Sequence, residues 1–130
     1  MQKHMTLKLF FLSFVTLGLF IAAGAIAEES NNEPAASLTE VEAKNVCMVT
    51  NQLFVKDQIP VELEGKTYYG CCEMCKAKIK DNPESRVGID PVSGNEVDKS
   101  EAVIGAAPDG SIYYFENEDN LKKFDPTAAN

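Results

Sequence analysis

The chain has no tryptophan and one histidine, His4. That histidine belongs to an N-terminal segment with the marks of a removable leader, so the remainder has no imidazole for general-base work or metal ligation. Any soft-metal site beyond the leader must therefore be built from sulfur. Positive charge is also scarce. With 12 Lys and Arg against 20 Asp and Glu, the net charge is −8, which argues against nucleic acid or an anionic membrane surface as a partner. No cysteine precedes position 47, which argues against a lipoprotein signal, since that requires a cysteine directly after the apolar run.

Residues 1–27 carry Lys3 and Lys8, no acid, an apolar run over residues 7–26 and a small-x-small end at Ala25-Ile26-Ala27, followed at once by Glu28 and Glu29. These are the features of a secretory signal peptide. The run is also long enough to serve as a membrane anchor if uncleaved. Cleavage after Ala27 leaves 103 of the 130 residues, with 10 basic and 20 acidic side chains and a net charge of −10. That length suits one small domain with a modest core, for which extra cross-links would help. The expected location is secreted or periplasmic, with no stable membrane insertion after cleavage.

All four cysteines, Cys47, Cys71, Cys72 and Cys75, remain after cleavage. In an oxidising compartment an even count suggests disulfides. Cys71 and Cys72 are adjacent and do not readily bond to each other, so full pairing would tie one of them to Cys47 and the other to Cys75.

Residues 28–44 read as a flexible acidic leader, within which Ser37-Leu38-Thr39-Glu40 has capping-box spacing and predicts a short helix to about Lys44. Two further zones resemble each other at a constant offset of 45. "GKTYYGCCEMCKAKI" aligns with "GSIYYFENEDNLKKF", placing Gly65 on Gly110, Tyr68-Tyr69 on Tyr113-Tyr114 and Ile79 on Phe124. In each zone a glycine turn closes a hairpin, and a helix follows that stops before proline. The expectation is an α+β fold of two small β-β-α units, treble-clef-like or zinc-ribbon-like, packed as one domain. A cysteine-bearing unit covers 45–89 and a cysteine-free unit 90–126 of a domain spanning 45–130. The tyrosine pairs read as alternating strand residues with one side in the core.

Cys71 and Cys75, four apart across a helix start, lie on one face a turn apart, and Cys72 points partly the same way. The helix N-terminus favours thiolates, the form that binds metal. Cys47 would arrive from before the hairpin as a knuckle ligand. Met48 and Met74, each next to a cysteine, would add thioethers that favour Cu(I), or they fill core space.

The block "GKTYYGCCEMCKAKIKDNP", with Cys47 some two dozen residues ahead, resembles the YHS and TRASH group of small cysteine-containing domains. "DPVSGNEV" followed by "YYFENEDNLKKF" resembles the same domain without its cysteines, with Ser93 where the group often has Cys. The resemblance implies heavy-metal binding or trafficking, with Cys47, Cys71 and Cys75 as ligands and Cys72 as a fourth candidate. On it, Val92, Glu116, Asn117 and Asn120 stand where Cys47, Cys71, Cys72 and Cys75 would be, so the second unit is expected to complete the core and not to bind the same metal. The first unit departs from the pattern in having Asn45-Val46 where the group has an Asp-Pro lead.

The reading that follows is a non-enzymatic binder of Cu(I) or Zn(II) whose partners are the ion and a metal-donor or metal-acceptor protein. Two alternatives stay open. One is a thiol redox protein using Cys72 and Cys75 as a C-x-x-C pair; the other is a disulfide-stapled interaction domain.

Overall fold

The structure is a computed structural model and describes residues 37–129. The expected signal peptide, and the acidic leader up to residue 36, lie outside the described residues. Those residues form short strands β1 (Thr39–Glu40), β2 (Val46–Cys47), β3 (Gln52–Leu53), β4 (Ile59–Leu63) and β5 (Lys66–Gly70), then helix α1 (Glu73–Asp81). Strands β6 (Val87–Ile89), β7 (Glu96–Asp98), β8 (Val103–Ala106) and β9 (Ile112–Phe115) follow, ending in helix α2 (Glu118–Lys123). The result is a mixed α+β fold with small antiparallel sheets and two helices.

Local chemistry explains both long hairpins. Between β4 and β5 the turn has only two residues, Glu64 and Gly65, both at positive φ (54° and 79°). A turn of that hand matches the twist of the flanking strands. It sets the register Val61↔Tyr68 and sends both of those side chains into the core. Between β8 and β9 the loop is longer and turns at Gly110, with φ 89°. Each hairpin feeds a helix that ends just short of a proline: α1 stops at Asn82 before Pro83, and α2 at Phe124, two residues before Pro126. A proline beyond the helix end cannot continue the hydrogen-bond ladder.

The capping-box expectation fails. Thr39 and Glu40 are extended and pair with Ala106 and Gly105 of β8, and the Val41 N–H donates to the Ile104 carbonyl at 2.9 Å. Only Ala43–Asn45 makes a helical turn, and it is a 3-10 turn. A helix of under two turns is marginal by itself, whereas the open edge of β8 offers a row of backbone partners. Gly105 helps, because a Cβ there would lie 2.9 Å from Leu38 Cδ1. The missing side chain is what lets Leu38 lie against the sheet.

One hydrophobic core draws on both zones. Val46, Met48, Val61, Tyr68 and Ile79 pack with Val97, Ile104 and Tyr114. A polar clasp joins the same halves: Asp98 Oδ2 accepts from Lys66 Nζ at 2.8 Å and from the Tyr68 hydroxyl at 2.9 Å. As expected for alternating strand residues, Tyr114 is buried, while Tyr113 stacks at the half-buried margin on Phe124, with centroids 4.8 Å apart. A short hairpin precedes each long one, β2–β3 in the first zone and β6–β7 in the second. The β6–β7 pairing crosses the division expected at residue 89. Among the described residues no helix is long and apolar enough to cross a membrane.

Candidate metal centre

Cys47 ends β2 and is fully buried. The turn after it is held by the Asn51 N–H donating to the Cys47 carbonyl at 2.8 Å, with Asn51 in the left-handed region at φ 51°. Asparagine tolerates that conformation better than most residues. The Met48 N–H donates to the Tyr69 carbonyl at 2.9 Å, which ties the Cys47 turn to the end of β5. β5 ends at Gly70, and the chain passes through Cys71 and Cys72 into α1. A side chain at Gly70 would place its Cβ 3.0 Å from the Cys75 Cβ and 3.2 Å from the Lys76 nitrogen. Glycine there lets the strand end lie against the first turn of the helix.

These constraints bring three thiols together. The Sγ atoms of Cys47, Cys71 and Cys75 all lie within 4.8 Å of one another, and Cys71 and Cys75 are 3.5 Å apart. The Cys71 N–H also points at Cys47 Sγ, at 3.4 Å. All four cysteines are free thiols. Cys72 stands outside the trio as the exposed N-cap of α1, where it closes no capping hydrogen bond. Met48 is buried in the core cluster and Met74 is 82 % exposed; of the core-filling role weighed for both, Met48 fits it and Met74 does not.

The trio is electrostatically uneven. Burial opposes ionisation of Cys47, but donors from Thr50, Cys71 and Val49 outweigh it and hold that thiol at about 6. Cys71 is raised above the ordinary thiol value, chiefly because its S–H donates to Cys47. Burial, followed by the neighbouring sulfurs, pushes Cys75 up to about 12. At neutral pH the cluster thus holds one thiolate and two protons. Cys72 is lowered, mainly by the Cys75 amide at the helix start.

The second zone carries the same frame with different chemistry. The N-caps Cys72 and Asn117 are 45 apart and nearly superimpose in backbone angles (φ −157°, ψ 171° against φ −160°, ψ 167°). The counterpart of Cys47, however, is Asp90 and not the expected Val92. Asp90 is fully buried. Its Oδ1 accepts from the amides of Val92 and Ser93 at 2.8 and 3.3 Å, and its carbonyl accepts from the Gly94 N–H at 2.8 Å, as the Cys47 carbonyl does from the Asn51 N–H. Its Oδ2 accepts from the Glu116 N–H and Asn120 Nδ2, both at 2.8 Å. Glu116 and Asn120 are the positions expected opposite Cys71 and Cys75.

The offset therefore shrinks from 45 at the helix to 43 at the knuckle. One of the two extra residues lies in the β8–β9 loop, where Gly105 pairs with Tyr113 eight residues on while Val61 pairs with Tyr68 seven on, and the other lies between the knuckle and the hairpin. A carboxylate with four donors closes the second unit internally, where the first gathers thiols. Asp90-Pro91 in "DPVSG" is a recognised turn opener, and it was the one signal that could have marked Asp90 over Val92. Gly70 carried no comparable signal.

Comparison with protein-family models, with curated proteins and with solved structures finds no match.

Proposed function

We propose that the protein is an exported, non-catalytic soft-metal-binding module that holds Cu(I) or Zn(II) on Cys47, Cys71 and Cys75 and exchanges it with a donor or acceptor protein. The reading includes the YHS and TRASH likeness and a treble-clef-like frame in which β2 supplies the knuckle ligand. One observation carries it: three sulfurs from two separate chain segments lie within 4.8 Å of one another. Metal–sulfur bonds of about 2.3 Å would set sulfurs roughly 3.8–4.0 Å apart in tetrahedral or trigonal geometry, so the Cys71–Cys75 pair at 3.5 Å need open only slightly and the longer separations, none above 4.8 Å, close by under about 1 Å. A set of thiols alone selects soft ions over Mg(II) or Ca(II).

The redox reading has one observation in its favour, the 3.5 Å approach of Cys71 and Cys75, which points to that pair instead of Cys72 with Cys75. Cys47→Ser separates the two. Under the metal reading, the reduced wild-type chain takes up one soft ion and Cys47→Ser binds it at least about a hundredfold more weakly, because a buried ligand is lost. Unchanged affinity in Cys47→Ser, measured by chelator competition, refutes the proposal.

A further inference from the structure

Lys99 follows β7, and its side chain runs back into the first unit, where it is 6 % exposed. Its Nζ donates to the Met48 carbonyl at 2.7 Å and to Asn51 Oδ1 at 3.1 Å, and lies 4.9 Å from the centroid of the Tyr114 ring. Asn51 Oδ1 also accepts from the Tyr114 hydroxyl at 3.1 Å. Lys99 and Tyr114 of the second unit therefore grip, from behind, the turn that carries Cys47.

Every one of these partners of the ammonium is neutral. The ion pairs among the described residues use Lys44, Lys66, Lys76 and Lys122. A buried cation with no carboxylate beside it is costly unless another negative charge is near. The Met48 carbonyl that Nζ holds belongs to the residue after Cys47, so the thiolate of that cysteine is the negative charge that the turn brings toward it. Burial lowers the Lys99 pKa, and the Cys47 thiolate acts to raise it.

We infer that Lys99 is the counter-charge built into the thiol centre, a positioning residue that stabilises an anionic metal–thiolate complex and weights the site toward a monovalent ion. The inference rests on the proposed metal reading. The free cluster, with one thiolate and two protons, carries about −1; binding takes it to about −2 with Cu(I) and leaves it at about −1 with Zn(II), and the gain in attraction to one fixed cation follows that change in charge. Losing the cation should therefore weaken Cu(I) binding by about tenfold or more and leave Zn(II) binding within about threefold.

The test is chelator competition with each metal alone on the reduced chain, comparing wild type, Lys99→Gln, Lys99→Arg and Asn51→Ala. Lys99→Gln keeps a hydrogen-bond donor without the charge. It should weaken Cu(I) and leave Zn(II) within about threefold of wild type. Lys99→Arg should stay within about threefold of wild type for both. Asn51→Ala removes the same turn contact but leaves the ammonium, so it should lower the stability of the metal-free chain and leave the Cu(I)-to-Zn(II) ratio unchanged.

Equal losses for the two metals in Lys99→Gln, or an Asn51→Ala ratio shift of the same size, reduce Lys99 to a strut and overturn the inference. If Lys99→Gln does not fold, folded Lys99→Arg still decides: a large loss of both metals there overturns it, and retained affinity supports it. A wild-type chain that binds neither metal refutes the proposed function itself, an outcome visible before any variant is compared.

Discussion

Loading a soft ion at neutral pH should release two protons per ion. Of the three thiols in the centre, Cys47 is held at about 6 by the donors that converge on it. At pH 7.5 its thiolate would outnumber its thiol by about thirty to one. Cys71 and Cys75 are both held above the ordinary value of 9.0 and carry their protons at that pH. Because ligand sulfurs must be deprotonated, the ion displaces the protons of Cys71 and Cys75 and none from Cys47. Affinity should then rise about a hundredfold per pH unit between about 6 and 9, and about a thousandfold per unit below about 6, where Cys47 is also protonated. A fourth thiol from Cys72 would add less than one proton, since its pKa is already lowered. Calorimetric titration of the reduced chain in buffers of different ionisation enthalpy counts the protons directly. Three protons at pH 7.5 would refute the assignment of Cys47 as the resident thiolate; none would show that the metal binds elsewhere.

Gly70→Ala should damage the site without touching a ligand: its new Cβ, 3.0 Å from the Cys75 Cβ, forces the start of α1 away from β5. A stability loss of about 1–3 kcal/mol in urea titration, together with weaker metal binding, is expected, and wild-type values for both would contradict the close approach described. Asp98 holds the two halves together through Lys66 and Tyr68. Burial opposes its charge, but Lys66, Ser100 and Tyr68 lower its carboxyl from 3.8 to about 2. A carboxyl lowered by folding contributes stability that is full above about pH 3.8 and lost as pH falls toward 2. That contribution is about 2 kcal/mol. Asp98→Asn should lose roughly this amount at pH 7 and flatten stability between pH 4 and 2, and an unaltered acid limb in chemical denaturation would refute the clasp.

Both hairpin–helix pairs were legible in the residues because each rests on local physics. Glycine supplies the turn at Gly65 and at Gly110, alternation buries Val61 and Tyr68, and the prolines at 83 and 126 follow closely on the helix ends. The i, i+4 spacing of Cys71 and Cys75 likewise led to the expectation that their sulfurs meet, although Cys71 precedes the N-cap Cys72 and it is the entry of the chain into α1, not a helical turn, that sets their 3.5 Å approach. Features that depend on distant chain were decided only by the tertiary structure. Residues 37–40 had a helix signature, yet became a strand because β8, more than sixty residues away, offers them an open edge. Cys47 reaches the other thiols through the Met48-to-Tyr69 backbone bond, a pairing that spacing cannot show.

Asp90, not Val92, takes the place of Cys47 in the second unit because loop length, and not sequence offset, sets which residue meets the helix start. Nothing in the residues around Lys99 marks it off from a solvated lysine. Its burial behind the Cys47 turn follows from how the two units share a core, and a charge pattern along the chain holds no record of that. Short-range geometry is encoded by neighbours in sequence, whereas which faces meet, and which charge is left facing a thiolate, depends on the balance of all the contacts together.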